Sequence, residues 1–480
     1  MQIPILNGST TDSAADFRTS LPLNLMPVAK ETGISKGYLR TAEGMAEFAN
    51  SIYSGSADRG AVNWKGGCYR VIGEWLTRVN VDGTIDYLGN VDDDGNPAVL
   101  VYSFDRLAVA AAGKLYYYRP GFGVQEVTDP DLGTVVDLVW IAGYFMTTDG
   151  EFLIVTDLND PFSVNPLKYG SSEARPDPVN GLREVRNEVY AVNRYTTEVF
   201  QNVGGTGFPF QRVEGAMIPK GAVGTFATAY FLDTIAFVGS GENEPPSVYL
   251  VGTGQAQKLA TREVETLLMS YTEEQLAEVR VESRQDKLQQ LLYIHLPDKS
   301  LVYDASGTAV AGEPVWFTVA SGANAELPYR ARNYVWAYGK WLFGDLQSLK
   351  IGYFNNRDAR QFGQAVPWQF DTQVLYNEGR GAIIHSLELV RLSGRDASSP
   401  GEGTAAAVDA TYSHSYTHNG LQWSQPRLIS GGKPGDTQKR VGWRTLGRMD
   451  HWRGLRFRGL NNPYPESIVR LEAEIEPLEA

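Results

Sequence analysis

One module recurs along the middle of this chain: two short apolar strands joined by a tight turn and followed by a polar loop. Seven copies fall between Trp64 and Phe354, with turns near Gly73, Gly113, Gly150, Arg194, Gly241, Asp298 and Asp345. Successive turns lie 37 to 57 residues apart. A period of about 40–50 residues with several strands per unit is typical of β-propeller blades. A lone four-stranded sheet leaves both faces uncovered, whereas a ring of sheets covers them.

We therefore predict an all-β protein with a six- to seven-bladed β-propeller-like core over residues 61–370. The blade number stays open, because an N-terminal strand could close one unit or one hairpin could be extra. The units share little sequence, so a string of unrelated β-hairpins is the alternative. The composition fits a β fold, since aromatic residues make up 11% of the chain and 50 glycines supply turns.

One segment interrupts the strands. Thr261–Val279 is rich in helix formers, and Thr272 with Gln275 matches a capping box, so we predict one inserted helix here. After the helix, period-2 runs on either side of Pro297–Asp298 predict a β-hairpin.

The two ends of the chain read differently from the middle. Residues 1–60 are punctuated by Pro and Gly, so we expect an extended N-terminal arm over a neighbouring surface. Residues 375–480 hold short strands and an Asn419–Gly420 turn, which predict a C-terminal β-sandwich domain of about 100 residues.

Charge and cysteine content limit the function. The net charge of −13 disfavours a protein that grips nucleic acid over its whole surface, and solubility is its plainest explanation. Cys68 is the single cysteine, so we expect no disulfide framework. The N-terminus lacks the features of a secretion signal, and no apolar run approaches the ~18 residues of a membrane span.

We predict no catalytic residue, metal or cofactor. Asp92–Asn96 has calcium-binding residue types, but no Glu closes the loop pattern, so a solvated turn is favoured. Ser415–Trp423 is similar to an Asp-box turn with His418 in the acidic position, which we interpret as a plain hairpin. No nucleophile elbow, phosphate-binding loop or His-rich metal motif is present in the sequence.

A basic segment runs from Arg427 to Arg458. Its nine basic residues face only two acidic ones, and Trp443 and Trp452 are interleaved. Arginine with aromatic residues suits phosphate contact or a protein–protein interface. We favour subunit contact or intramolecular pairing, with direct DNA contact as the alternative.

Three regions resemble the tail hub proteins, also called packaged-DNA stabilization proteins, of short-tailed Salmonella-type phages. They are Leu21–Gly44, with Asn24 as a matched position, Pro246–Ser306, and Lys439–Arg448 in the basic segment. The resemblance is poor around residues 55–94 and 395–407.

The resemblance implies a non-enzymatic virion protein of the viral tail, assembled in the host cytoplasm. It implies a homo-hexamer that forms the nozzle below the portal-adaptor ring, retains packaged double-stranded DNA and conducts it during ejection without sequence specificity. Further implied partners are a tail needle or plug and tailspike or fibre proteins. The candidate subunit, adaptor or DNA-channel contacts are Tyr38, Arg40, Arg440, Trp443, Arg444 and Arg448.

Two other classes of function remain as alternatives: a glycan-degrading propeller and a receptor-binding propeller of the phage tail. The first requires a pair of carboxylates whose mutation abolishes hydrolysis, and 56 acidic residues always permit such a pair. The second requires that the isolated protein bind host cells.

Overall fold

The computed structural model describes residues 1–9, 20–33, 35–50, 58–158, 160–252, 254–393, 410–432, 439–460 and 465–478. Within the first fifty residues lie four strands: β1 (Gln2–Ile3), β2 (Leu25–Ala29), β3 (Gly37–Thr41) and β4 (Gly44–Asn50). They do not form a sheet by themselves, because three of them pair with strands near the end of the propeller or of the chain.

Residues 58–171 form three four-stranded antiparallel sheets, which are blades 1 to 3 of a propeller. Blade 1 contains β5 (Asp58–Trp64), β6 (Gly67–Ile72), β7 (Trp75–Val79) and β8 (Ile85–Asn90). Blade 2 contains β9 (Val99–Tyr102), β10 (Leu107–Ala111), β11 (Lys114–Arg119) and β12 (Gly123–Glu126). Blade 3 contains β13 (Asp137–Ile141), β14 (Tyr144–Thr148), β15 (Phe152–Val155) and β16 (Gly170–Ser171). A 3-10 turn at Pro166–Lys168 precedes β16.

Blades 4 to 6 repeat the pattern, except that β21 and β22 share the place of the first strand of blade 5. Blade 4 contains β17 (Val179–Val185), β18 (Glu188–Asn193), β19 (Thr197–Asn202) and β20 (Phe210–Arg212). Blade 5 contains β21 (Gly221–Ala222), β22 (Thr228–Phe231), β23 (Thr234–Ser240), β24 (Ser247–Val251) and β25 (Ala256–Lys258). Blade 6 contains β26 (Arg280–Asp286), β27 (Gln289–His295), β28 (Ser300–Asp304) and β29 (Val315–Val319).

Blade 7 contains β30 (Ala331–Ala337), β31 (Lys340–Asp345) and β32 (Lys350–Asn355), and its fourth strand is β4 from the start of the chain. The ring closes because β30 also packs against β5 of blade 1. The described residues therefore form seven blades, the larger of the two predicted numbers. Six of the predicted hairpins are the second and third strands of blades 1 to 6. The seventh is β30–β31, whose turn lies at Tyr338 and Gly339 and not near Asp345, where β31 ends.

The single helix predicted at Thr261–Val279 is two helices, α1 (Arg262–Leu268) and α2 (Glu273–Ala277), in the connection between blades 5 and 6. The capping box is present, with the Thr272 side chain accepting from the Gln275 N–H. A capping box begins a helix, so it separates the two instead of lying inside one. A third helix, α3 (Ala305–Ala311), follows β28 and was not predicted.

The C-terminal strands form the predicted β-sandwich: β33 (Pro367–Asp371), β34 (Leu375–Tyr376), β35 (Ala382–Ser393), β36 (Thr411–Thr417), β37 (Arg427–Ser430), β38 (Val441–Met449), β39 (Trp452–Leu460) and β40 (Glu466–Pro477). One sheet has the order β2-β3-β40-β35-β38, with β1 also paired to β40. The other has the order β33-β39-β36-β37, with β34 also paired to β39. The loop that contains Gly420 joins β36 to β37 and is longer than a two-residue turn.

The described part of residues 1–60 has a different arrangement from the predicted extended arm. β1, β2 and β3 belong to the sandwich, and β4 belongs to blade 7. The reason is burial: Leu39 of β3 and Met45 of β4 are at most 2% exposed because each enters a core built by residues more than 200 positions away. Each domain is therefore made of two separate stretches of chain.

Candidate functional site

A short N-terminal segment lies between the two domains. Leu23 forms one β-bridge to Thr318 of blade 6 and another to Gln369 of the sandwich. Three residues later, Met26 of β2 packs in the same apolar cluster as Phe317 of blade 6. The segment therefore contacts the propeller on one side and the sandwich on the other, and it fixes the domain junction.

Asn24 is the polar centre of this junction. It is 1% exposed and lies in the left-handed region at φ 52°, which Asn enters more easily than most residues. Its side-chain amide donates to the Pro367 carbonyl at 2.8 Å, and its side-chain oxygen accepts from the Ala320 N–H at 3.0 Å. Its backbone N–H donates to the Thr318 carbonyl at 2.8 Å. One residue thus bonds both domains.

Tyr38 and Arg40 lie on β3, close to this junction. Gly37, Leu39 and Thr41 are buried on one face of the strand, so Tyr38 and Arg40 are half-buried on the other. The Lys30 ammonium lies 5.2 Å from the Tyr38 ring centroid, and an Arg40 guanidinium nitrogen lies 3.7 Å from the Met26 sulfur. Both candidate residues therefore keep part of their surface open at the domain junction.

The other four candidate residues lie on or beside β38, an edge strand of the six-stranded sheet. Arg440, Arg444 and Arg448 are exposed, whereas Trp443 is only 4% exposed. The Trp443 indole N–H donates to the Arg427 carbonyl at 2.8 Å and the ring packs against Phe457, so it belongs to the core.

Two of the three exposed arginines have acidic neighbours. Arg440 binds Glu388 through both guanidinium nitrogens, and this hydrogen bonding holds the pKa of Glu388 below its usual value against the effect of burial. Arg448 pairs with Asp450 at 2.8 Å, with both side chains more than half exposed. Exposed pairs of this kind contribute little to stability because solvent screens the charges. They leave the arginines available to a partner.

Two further arginines of the basic segment turn inward, and Arg458 beside them is exposed but hydrogen-bonded within the sandwich. Arg453 is 2% exposed and donates to the Leu446 carbonyl at 2.9 Å. Arg456 binds Asp371 through two hydrogen bonds of 2.8 and 2.7 Å, and Arg458 donates to the side chain of Gln369. These residues are structural members of the sandwich.

The structure does not bring the six candidates together. Tyr38 and Arg40 lie on β3, and the other four lie at β38, with β40 and β35 between them. Three strand spacings separate the two groups by about 14 Å. The two groups therefore form two separate regions of one sheet.

Sequence reasoning missed a cavity of about 340 Å³ between blades 1, 6 and 7. It opens at the end of the propeller where the first strands of these blades begin. Charged side chains line it, among them Asp58, Arg59, Glu278, Arg280 and Arg332. They are separated by up to 274 positions in sequence, from Asp58 to Arg332, so no local pattern could have found them.

His295 is part of the cavity wall and forms a buried pair with Glu282. Burial, together with the charge of Arg332, lowers the pKa of His295 to about 3, so the imidazole is neutral. Its Nδ1 lies 2.7 Å from the Ser300 hydroxyl and its Nε2 lies 3.2 Å from Glu282. Burial opposes ionisation of Glu282, but the hydrogen bond to His295 and the charge of Arg280 outweigh it and lower its pKa to about 2.

A second buried pair ties the N-terminal segment to blade 6. Glu43, just before β4, binds Arg284 of β26, and both side chains are at most 4% exposed. Burial raises the pKa of Glu43, yet the charge of Arg284 more than compensates and the net pKa is lowered. Removing one partner of such a buried pair leaves an uncompensated charge. The pair therefore stabilises the position of β4, the strand that completes blade 7.

The acidic run at Asp92–Asp94 is occupied by cations of the chain itself. Asp92 pairs with Lys114 at 2.6 Å, and Arg59 lies 3.4 Å from Asp93 and 2.8 Å from Asp94. In the part of the chain that the structure describes, no three His, Cys, Asp or Glu side chains are grouped to hold a metal ion. No helix among these residues has the length and apolarity needed to cross a membrane.

A seven-bladed propeller, a discontinuous sandwich and a shared N-terminal junction define a class of two-domain, all-β proteins. The family model described as Bacteriophage P22 Gp10, beta-propeller, matches residues 1–359, and the one described as Bacteriophage P22 Gp10, beta-sandwich, matches residues 367–476. The chain belongs to this family. The predicted resemblance and the predicted fold class are thereby confirmed.

The comparisons also give individual relatives. Over 477 residues the chain is 27% identical to the tail hub protein gp10 of Salmonella phage P22, covering 95% of this chain and 96% of that protein. Among solved structures it is similar to the computationally designed Ika8 protein, with a TM-score of 0.40, 10% identity and coverage of 64% of this chain and 99% of that one. The WD40 domain of Neurospora crassa Pan2 has a TM-score of 0.41, 10% identity and coverage of 67% and 97%.

Proposed function

We propose that this chain is a tail hub protein, a structural and non-enzymatic component of a phage tail. The observation that carries the proposal is the similarity to the tail hub protein gp10 of Salmonella phage P22 over 95% of the chain, through both domains and the junction between them. The hub is assembled in the host cytoplasm and becomes part of the virion tail.

Six copies form the nozzle below the portal-adaptor ring. A tail needle or plug closes it, and tailspikes or fibres attach to its flanks. The exposed arginines of β38 supply contacts to a neighbouring copy or to the adaptor, and Trp443 positions Arg444 from within the core. Tyr38 and Arg40 supply a second contact at the domain junction. These roles follow from the exposure of the side chains and from the resemblance of their segments to tail hub proteins.

The distribution of charge supports passage of DNA without binding. Residues 367–476 hold 13 Lys and Arg and 12 Asp and Glu, a net charge of +1. Because the whole chain has a net charge of −13, the remaining residues have a net charge of −14. Propellers of this charge around a channel repel phosphates, and packaged double-stranded DNA slides past without sequence-specific contacts.

Electron microscopy of the protein mixed with portal–adaptor complexes tests this function. We expect a six-fold ring below the adaptor with a continuous axial channel. Replacing Arg444→Glu and Arg448→Glu together weakens ring addition, whereas Arg357→Glu, an exposed charge reversal in the connection between β32 and β33, leaves it unchanged. A wild-type chain that adds no ring and instead adheres to host cells as a monomer would contradict the proposal.

A further inference from the structure

Blades 2 and 3 carry an exposed apolar patch, defined here as Phe104, Phe122, Trp140 and Leu158. Phe104 is 86% exposed, Phe122 66% and Leu158 56%, and Trp140 is half-buried beside Phe104. Scattered apolar residues are normal on a surface, but a contiguous group marks an interaction site.

Contacts link the residues of the apolar patch, directly or through a neighbouring residue. The rings of Phe104 and Trp140 meet edge to face with centroids 5.9 Å apart. The turn that follows Trp140 reaches Leu158, whose side chain lies 3.0 Å from the Cβ position of Gly143. On the other side, the Arg119 guanidinium lies 5.1 Å from the Phe122 ring centroid and 3.9 Å from a carboxylate oxygen of Asp105, the residue next to Phe104.

The apolar patch lies at one end of its blades. Phe104 follows the first strand of blade 2 and Phe122 its third strand, while Trp140 and Leu158 close the first and third strands of blade 3. First and third strands run in the same direction, so all four residues lie on one face of the propeller. The chain leaves blade 7 for the sandwich on that same face, because β32 is also a third strand.

The sandwich attaches on the opposite side of the ring from the apolar patch. Its junction residue Leu23 bridges to Thr318 of blade 6. In a ring of seven blades, blades 2 and 3 are the two that lie farthest from blade 6. One subunit thus presents two different surfaces at opposite sides of the ring, as a head-to-tail contact between copies requires.

The exposed edge of the sandwich complements the apolar patch. We define the basic edge as Arg427, Leu428, Arg440, Arg444 and Arg448. Leu428 on β37 is 70% exposed, and Arg427 donates to the Arg444 carbonyl at 2.9 Å, so the leucine and the arginines share one edge. Residues 99–171 hold 4 Lys and Arg against 9 Asp and Glu, a net charge of −5. An apolar residue among cations thus matches an apolar patch in an acidic setting.

We propose that the apolar patch of one copy binds the basic edge of the next copy, and that repetition of this contact builds the ring. The inference rests on the proposed tail hub function, since it names the surfaces by which the copies join. Leu428 packs against Phe104 and Phe122, and the arginines meet the surrounding carboxylates.

Disulfide cross-linking tests the contact directly, because the single native cysteine, Cys68, is buried. Rings are assembled on portal–adaptor complexes from a mixture of Phe104→Cys and Leu428→Cys chains and then oxidised. We expect cross-linked dimers, and ladders up to the full ring from a chain with both changes. Leu288→Cys, which is 89% exposed on blade 6, replaces Phe104→Cys as the matched control and gives no dimer with Leu428→Cys.

A second variant keeps the test decisive. Phe104→Ser with Phe122→Ser alters only exposed side chains, so the melting temperature should stay at the wild-type value while ring formation falls about tenfold. Two results would overturn the inference and leave the hub function standing, provided that the wild-type chain forms rings. One is undiminished ring formation by the double variant, and the other is the absence of cross-links between positions 104 and 428. Absence of rings from the wild-type chain would overturn both.

Discussion

Replacing Asn24 with glycine tests the domain junction most directly. Glycine keeps the left-handed backbone at φ 52° without strain, so the substitution removes only the side chain and its two hydrogen bonds. The Ala320 N–H and the Pro367 carbonyl then lose their partners inside the junction. Asn24→Ala removes the same bonds and adds the cost of a Cβ in the left-handed region.

The magnitude follows from the two bonds. A buried donor left without a partner costs about 1–3 kcal/mol, and a typical hydrogen bond contributes about 0.5–1.5 kcal/mol. Because the Ala320 bond is fully buried and the Pro367 bond is only partly so, we expect Asn24→Gly to destabilise the junction by about 2–4 kcal/mol. Asn24→Ala should cost about 1 kcal/mol more.

Urea unfolding measured by tryptophan fluorescence and by far-ultraviolet circular dichroism checks this expectation. Loss of the junction should lower the midpoint and separate the transitions of the two domains. Asn243→Gly is the matched control, because Asn243 is exposed at φ 60° and should change stability by less than about 0.5 kcal/mol. Equal midpoints for the two variants would refute the role assigned to Asn24.

Three further predictions concern single sites. In Gly44→Ala the new Cβ would lie 1.8 Å from the Asp358 carbonyl oxygen, so urea unfolding should show that the free energy of unfolding falls by about 2 kcal/mol or more. Gly207→Ala is the control and should be nearly neutral, because the space around Gly207 is open. His295 takes up a proton near pH 6.5 in the unfolded state but only near pH 3 in the folded state. The free energy of unfolding should therefore fall by about 1 kcal/mol between pH 6 and pH 5 because of this residue, and His295→Gln should remove this contribution to the pH dependence. Burial raises the pKa of Cys68, so iodoacetamide at pH 8 should alkylate it only in urea; rapid labelling of the native protein would contradict its burial.

The blade hairpins could be predicted because their partners are close in sequence. Ile294 pairs with Leu301, and the turn between them at Pro297–Asp298 is visible in the residues themselves. The pairing of Met45 with Phe354 is not local, so residues 44–50 show an apolar strand without any sign of its partner. That missing partner is why the blade number stayed open and why an arm was expected. The two helices show a different limit, since Thr272 was read correctly as a capping residue but placed inside one longer helix.

The candidate surfaces were predictable to the same extent. The run of basic residues is visible from Arg427 onward, but its division into exposed and structural members is not. Arg456 turns inward because Asp371, 85 positions earlier, lies on the strand paired with its own. Arg444 stays outside because successive side chains of a strand point to opposite faces, and its neighbour Trp443 points into the core. The apolar patch gave no signal, because Phe104 and Leu158 look like ordinary core residues until the fold exposes them.

The pairing of the first strands with the last ones governs how this chain is made. A ribosome releases residues 44–50 long before it has synthesised Lys350–Asn355, and it releases β1 and β3 before Glu466–Pro477. During translation the blades form in order, but the propeller ring stays open and the sandwich lacks a central strand. Neither domain can be completed until its last strand emerges, so a chain that terminates before Lys350 yields neither a closed propeller nor a complete sandwich.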